Sequence, residues 1–262
     1  MSALLARAYA DRGARVVAID TDSNPNLGFS LGLSMAEMEA VPVLPRSVLV
    51  GSNGAASAGA LIEEYGRSTP AGATLLSAIR VNAAGAGCTC GGHATVRSLL
   101  GDALTDSADV TLVDMEAGLE HLSRSGGTLA HADVLLAVVE PTRKSMITAG
   151  RTPTLAHELG LDRVFGLGNK VRSAADEEFL AQMIGEYGVP VAGIIPTTPS
   201  WRRQTAPAAR SARCPGRYGR HWTAFSGSST GSTSPEPVPL PLDVLRTYLA
   251  AFVQVASLLS GG

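Results

Sequence analysis

Short apolar runs recur along the chain, and stretches with helical spacing separate each run from the next. A short apolar run is typical of a strand buried on both faces, and strands that alternate with helices form parallel sheets. We therefore predict an α/β fold with a doubly wound, mostly parallel sheet. Its strands are expected at residues 16–20, 110–114, 134–139, 163–169 and 189–195.

The first dozen residues have the pattern of an amphipathic helix that leads directly into the first of these strands. Leu4, Leu5, Ala8 and Tyr9 are spaced helically over residues 2–12, with Ser2 as a candidate cap and a glycine at position 13. The pattern weakens into Gly, Ala and Ser between residues 41 and 92. A further capped helix is predicted from His93 or Ala94 to about residue 108.

The last third of the chain changes character. Residues 201–235 contain six arginines and no acidic residue. Their lack of periodicity predicts a disordered segment at 201–240, although a basic stretch with tryptophan is also compatible with nucleic-acid binding. Helical spacing then returns and predicts a terminal helix at 241–262 that docks on the core at 1–200 or on a partner. Its apolar positions are Leu242, Leu245, Leu249, Phe252, Val255 and Leu259.

Composition narrows the function class. The formal net charge of −2 gives no general attraction to nucleic acid or to an anionic membrane, and we expect neither as a partner. No apolar run is long enough to cross a bilayer, and no leader pattern is visible, so we expect a cytoplasmic protein. Three cysteines do not make a disulfide framework, and the close pair Cys88 and Cys90 suggests metal or redox chemistry.

Candidate catalytic residues stand where the predicted strands end. Asp20 and Asp22 follow the first strand, where carboxylates can orient an attacking water and hold Mg²⁺ through its water shell, or simply cap a turn. Asp114 ends the next strand, and Gly118 follows it with a backbone N–H that no side chain shields from a phosphate. Asn169 ends a later strand, where its amide can pair with an adenine edge or serve as a turn residue.

Two thiolates in Cys88-Thr89-Cys90 are too few for a tetrahedral soft-metal site, whereas a twofold axis beside them would supply four. The alternative is that they are two small, partly buried residues in a glycine-rich loop. His93 is interpreted as a polar residue at a helix start.

Taken together, these motifs resemble one family over residues 2–198. The chain is similar to the deviant P-loop ATPases, which include the nitrogenase iron protein and the MinD-like and ParA-like ATPases, and most of all to the CooC-type accessory ATPases that mature nickel carbon-monoxide dehydrogenase. The stretches that carry the resemblance are IDTDSNPNL, GCTC, VDMEAGLEHL, VVEPTRKS, GNKVRSAADEEFL and GIIP.

The resemblance implies a homodimer that uses ATP and Mg²⁺ to deliver nickel to the dehydrogenase apoenzyme. Asp22 would orient the attacking water, and Asp20 and Asp114 would support Mg²⁺. Gly118 would contact the γ-phosphate of the nucleotide. Its adenine would lie near Asn169, Pro196 and Thr197. Cys88 and Cys90 would bind Zn²⁺ or Ni²⁺ at the dimer interface.

The chain departs from the family at its phosphate-binding loop. Family members carry a strand and a KGGxGKT or KGGxGKS loop before the first helix, whereas the two lysines here, Lys144 and Lys170, follow no such glycine pattern. We therefore expect an N-terminally truncated, P-loop NTPase-like core that folds poorly and binds nucleotide weakly. A start assigned too late or gene decay would account for the missing loop. A frameshift is a further hypothesis beyond residue 198.

Two other functions stay open at this point. One is a catalytically inactive binding protein that dimerises through metal. The other is a partition-type regulator that binds DNA or membrane through the basic segment and the terminal helix.

Overall fold

An eight-stranded sheet with the order β2-β3-β1-β4-β8-β5-β6-β7 forms the centre of the molecule. The computed structural model describes residues 1–45, 57–80, 96, 107–116, 118–119, 122, 129–196 and 249–255. All neighbouring strands are parallel except β2, which runs antiparallel to β3 at one edge. The strands are β1 Val16–Asp20, β2 Arg67–Ser68, β3 Thr74–Ser77, β4 Val110–Met115, β5 Val134–Val139, β6 Val164–Val171, β7 Val191–Pro196 and β8 Leu249–Val255.

Helices cover both faces of this sheet and divide its core into two apolar clusters. One cluster includes Leu5 of α1 and Leu27 of α2, and the other includes Leu61 of α4 and Met146 of α5. The predicted doubly wound α/β fold is therefore confirmed. The helices are α1 Ser2–Ala10, α2 Leu27–Ser30, α3 Met35–Glu39, α4 Ala58–Tyr65, α5 Arg143–Glu158 and α6 Ala174–Glu186, and Leu129–His131 form a single 3₁₀ turn.

The first helix begins and ends close to its predicted limits, but its cap differs. Met1 is the N-cap and makes no side-chain cap hydrogen bond, while the Ser2 hydroxyl donates to a carboxylate oxygen of Asp114. Gly13 follows with a φ of 85°, a backbone conformation that glycine adopts without strain, and the chain turns there into β1. Ser2 is thus a link between α1 and the sheet edge rather than a helix cap.

Sequence patterning missed the elements that extend the sheet beyond β1. The short strand β3 pairs with β1 over four residues, and Leu75 and Leu76 on it are fully buried. Glycine, alanine and serine surround it, so its apolar run is too brief to stand out from a loop. A helix is predicted at about 93–108. Between residues 93 and 106 the structure describes only Val96, which is helical and buried.

The predicted C-terminal helix is wrong over residues 249–255, which form the strand β8. This strand lies between β4 and β5 and pairs in parallel with both, Met115 aligning with Val253 and Val139 with Val255. Its sequence LAAFVQV is apolar except for Gln254 and fits a helical and an extended pattern equally well. The strand forms because it fills the place between two buried strands, β4 and β5. The segment predicted to be disordered, 201–240, lies outside the described residues.

Strand β8 joins the two halves of the sheet. On one side of it are β2, β3, β1 and β4, and on the other are β5, β6 and β7. Without β8, β4 and β5 would each present an unpaired row of backbone N–H and C=O groups inside the fold. Completion of the sheet therefore depends on this strand.

The turn that follows β1 is organised by a buried carboxylate. Asp20 is fully buried, and its two oxygens accept the backbone N–H groups of Asp22 (3.1 Å) and Leu27 (2.9 Å). Burial raises the pKa of Asp20 to about 6, and the nearby charges of Asp114 and Asp22 act in the same direction. Asp20 therefore determines how the chain passes from β1 into α2.

In the part of the chain described here, no helix is long and apolar enough to cross a membrane.

Replacing Val253 by proline should destabilise the fold because a strand paired on both sides uses every backbone N–H in its ladders. We expect Val253→Pro to cost about 3 kcal/mol more unfolding free energy than Val253→Ala, which also shortens the side chain but keeps the N–H. Urea denaturation of the two variants measures this difference. Equal stability of the two variants would show that β8 is not a paired central strand.

Replacing Asp20 by asparagine should change how stability varies with pH. The unfolded carboxyl group loses its proton near pH 4 and the folded one near pH 6, so the contribution of Asp20 to the unfolding free energy falls as pH rises through this window, by on the order of 3 kcal/mol. Urea denaturation from pH 4 to pH 7 should show a decline in the wild type and in the exposed control Asp11→Asn that is larger, by on the order of 3 kcal/mol, than the decline in Asp20→Asn, where Asp114 still has a raised pKa. An unchanged pH profile in Asp20→Asn would contradict the assignment.

Candidate functional site

Three predicted carboxylates come together at the carboxyl edge of the sheet. Asp20 and Asp114 are aligned partners on the parallel strands β1 and β4, and Asp22 lies two residues beyond the end of β1. The charges of Asp114 and Asp22 both raise the pKa of Asp20, and the charge of Asp22 raises the pKa of Asp114. Parallel strands deliver their last residues to the same edge, which is where open α/β sheets bind ligands.

Hydrogen bonds fix the ends of β1 and β4 relative to each other. The backbone N–H and the hydroxyl of Thr21 both donate to the carbonyl oxygen of Asp114, at 3.0 and 2.8 Å. Beyond them, the Ser23 hydroxyl donates to a Glu116 carboxylate oxygen at 3.1 Å. These hydrogen bonds hold the two strand ends that carry the carboxylates in a fixed relative position, as a site for charge stabilisation requires.

The carboxylates differ in their surroundings. Burial raises the pKa of Asp114, and the hydrogen bond from Ser2 opposes that shift. Asp22 is partly exposed and accepts the backbone N–H of Asn24 at 2.8 Å. Asp22 is therefore more accessible to a water molecule or a ligand than the fully buried Asp20.

The described part of the chain contains no group of three His, Cys, Asp or Glu residues arranged to hold a metal ion. Asp20, Asp22 and Asp114 thus do not form a three-ligand cage, although their oxygens are of the hard type that Mg²⁺ prefers. The arrangement fits a hydrated Mg²⁺ that the carboxylates meet through its water molecules, because Mg²⁺ usually keeps several of them.

Gly118 follows β4 and adopts a φ of 124°, which is strained for any residue with a Cβ. Only glycine lets the backbone after Asp114 and Glu116 bend in this way without strain. The described geometry therefore supplies a conformational reason for glycine at the position that sequence reasoning selected.

A second group of polar residues stands at the same edge on the other side of β8. Asn169 lies near the end of β6 and is partly exposed. Three strand spacings separate β6 from β4, roughly 14 Å. The edge therefore offers carboxylates at one end and an amide at the other.

Sequence reasoning did not identify the ion pair beside Asn169. Lys170 Nζ lies 2.5 Å from Oε1 of Glu140, which directly follows β5. Glu140 directly follows the strand predicted at 134–139, and a lysine at the end of the next predicted strand is the signal that could have suggested a pair. Of the other predicted site residues, Pro196 ends β7, and Thr197, Cys88 and Cys90 lie outside the described residues.

Comparison with known sequences gives a consistent family. A family model described as the CobQ/CobB/MinD/ParA nucleotide binding domain matches residues 1–206. The carbon monoxide dehydrogenase accessory protein CooC of Rhodospirillum rubrum is 36% identical over 198 residues, 70% of this chain and 74% of that protein. An uncharacterized ATP-binding protein of Methanocaldococcus jannaschii is 33% identical over 210 residues, covering 75% and 79% of the two chains.

Solved structures support the fold. The MinD cell division protein of Aquifex aeolicus superposes with a TM-score of 0.56 at 22% identity, over 78% of each chain. A ParA family ATPase of Chlorobium tepidum TLS gives a TM-score of 0.54 at 19% identity, over 78% of this chain and 82% of that one. Since the family model spans residues 1–206 and the CooC protein matches over most of its length, the chain belongs to the CobQ/CobB/MinD/ParA nucleotide-binding family and resembles its CooC-type members, as its motifs predicted.

Proposed function

We propose that this chain is a nucleotide-dependent accessory protein that delivers nickel during the maturation of a carbon-monoxide dehydrogenase. The observation that carries the proposal is the meeting of Asp20, Asp22 and Asp114 at one sheet edge in a chain 36% identical to a carbon monoxide dehydrogenase accessory protein. Nucleotide hydrolysis needs charged groups held in place, and the hydrogen bonds of Thr21 provide that support.

In this proposal the carboxylate end of the edge serves the triphosphate. Mg²⁺ supplies charge neutralisation for phosphoryl transfer when it is bound. Asp20 and Asp114 hold its water molecules, and Asp22, which is more accessible than Asp20, orients the attacking water. Gly118 offers its backbone N–H to the γ-phosphate, since no side chain stands in the way.

The amide end of the edge serves the base of ATP. Asn169 pairs with the adenine edge through its carboxamide, which has both a donor and an acceptor. Pro196 at the end of β7 and Thr197 after it complete the adenine side. The separation of roughly 14 Å between the two ends leaves room for a nucleotide to lie across the intervening strands.

Nickel is the cargo in this proposal, and Cys88 and Cys90 are its ligands. Two thiolates from each of two chains make a four-sulfur site for a soft divalent ion, which would be Zn²⁺ in preparations and Ni²⁺ in function. A homodimer is therefore part of the proposed mechanism, and the dehydrogenase apoenzyme is its partner.

A second candidate function is a metal-bridged binding protein, for which the cysteine pair is the feature in common with the first. Lys144 and Lys170 are the two lysines of the sequence, and neither stands in a GxxxxGK[ST] loop, which normally neutralises the phosphates. The two candidates differ in turnover, and they share the metal site.

We expect the chain as printed to release no phosphate from MgATP above background, because the carboxylates alone do not bind the triphosphate. Adding a strand and a KGGxGKS loop ahead of Met1 should produce turnover, and Asp22→Asn in that background should lower it by at least about a hundredfold. Phosphate release is the measurement, and the same added loop with its final lysine changed to alanine is the control. Robust turnover by the printed chain, abolished by Asp22→Asn, would contradict the requirement for the loop.

Metal binding should link two chains through the cysteine pair. We expect about one Zn²⁺ or Ni²⁺ per two chains, lost in Cys88→Ser/Cys90→Ser and retained in the control Cys214→Ser, with affinity falling as pH drops because thiolates must lose their protons. Metal analysis combined with solution mass, with and without chelator, measures this. One metal per monomer, or a dimer indifferent to chelator and to both mutations, would rule out a shared four-sulfur site.

A further inference from the structure

Two residues near the end of β6 lie outside the registered pairs on both sides of the strand. The pairing between β5 and β6 ends with Val139 aligned to Gly168. On the other side, the register between β6 and β7 shifts between Gly168 and Val171. Asn169 and Lys170 therefore stand outside the registered pairs on both sides, and backbone pairing alone does not hold the Asn169 side chain in place.

The backbone at Lys170 adopts a conformation that needs support. Its φ is 57°, and within the described ranges no other residue besides glycine has a positive φ. The left-handed region is unfavourable for a side chain with a Cβ and persists where surrounding contacts determine it.

A buried carboxylate supplies such a contact. Glu140 Oε1 lies 2.5 Å from Lys170 Nζ, and the Glu140 side chain is only 12% exposed. The backbone N–H of Glu140 donates to the Ser145 hydroxyl at 3.0 Å, and the Ser145 N–H donates to the Thr142 hydroxyl that caps α5. The backbone of Glu140 is thus anchored to the first turn of a 16-residue helix, and its carboxylate pairs with a lysine whose side chain is 52% exposed.

The residues on either side of this pair are held tightly. A Cβ on Gly168 would come within 2.9 Å of Leu180 Cδ1, so this strand is packed closely against α6. Val171 is 1% exposed and aligns with Pro196 of β7. The backbone of Asn169 is therefore held in place on its N-terminal side by the packing of Gly168. On its C-terminal side its position depends on the conformation of Lys170.

We infer that the Glu140–Lys170 ion pair is a positioning device that holds the Asn169 carboxamide at the ligand edge of the sheet. Lys170 and Glu140 act through Asn169 and are positioning residues. The use of this carboxamide for adenine rests on the proposed function, whereas the positioning itself does not.

The position of Asn169 can be tested without nucleotide, by NMR of the ¹⁵N-labelled full chain. We expect Glu140→Gln and Lys170→Met each to move the Asn169 side-chain amide signals toward those of free asparagine and to speed hydrogen exchange at residues 169–171. Lys170→Arg, which keeps the charge, should preserve the wild-type signals. The control Lys144→Met removes the other lysine, an exposed one, and should leave Asn169 unchanged.

Asn169 signals that stay at their wild-type positions in both Glu140→Gln and Lys170→Met would overturn the inference, whether or not the melting temperature falls. A lower melting temperature with an unmoved Asn169 would mean that the pair stabilises the fold without orienting the carboxamide.

Adenosine, which needs no phosphate loop, separates this inference from the proposed function. We expect adenosine to shift the Asn169 amide signals and to bind about five- to tenfold more weakly in Glu140→Gln, Lys170→Met and Asn169→Ala, the effect of about one lost hydrogen bond. Weakening in Asn169→Ala alone would overturn the inference and leave the adenine contact intact. Equal binding by wild type and Asn169→Ala would instead remove adenine from the proposed function, and the amide signals would then decide the positioning role by themselves.

Discussion

The sheet is held together by the pairing of β8 with β4 and β5. Backbone N–H and C=O groups inside a fold need partners, and β4 and β5 both lie deep within the sheet with nearly every residue buried. One strand satisfies both edges at once, since β8 aligns with β4 from Thr111 to Met115 and with β5 from Val134 to Val139. At the carboxyl edge, the placement of the side chains on β1 and β4 relative to those on β5 and β6 depends on this strand.

Given that sheet, the chemistry of its edge separates into two regions. Register brings Asp20 beside Asp114, and Thr21 ties the two strand ends together through a single carbonyl oxygen. On the far side of β8, Lys170 neutralises Glu140 next to the uncharged amide of Asn169. One region thus concentrates negative charge and the other is locally neutral, an asymmetry suited to a ligand with a charged end and a polar, uncharged end.

Sequence patterning predicted β1 and β5 to the residue, because both are short apolar runs bounded by polar turns. The gathering of Asp20, Asp22 and Asp114 followed from the parallel topology alone. Strand β3 is too short and its neighbours too small to give a period, and β8 has an apolar sequence that suits a helix as well. The ion pair of Glu140 and Lys170 joins residues thirty positions apart across a strand boundary, and single-sequence patterns carry no information on such a contact.

The position of β8 also has a consequence for synthesis of the chain. The ribosome makes β4 and β5 long before β8, and β8 follows every other described strand in the sequence. Until it emerges, two six-residue strands made largely of apolar residues carry open edges of the kind that recruit strands from neighbouring chains. The nascent chain therefore passes through a period in which it is a good substrate for chaperones and prone to pair with other copies of itself, and this period closes only when β8 enters the sheet.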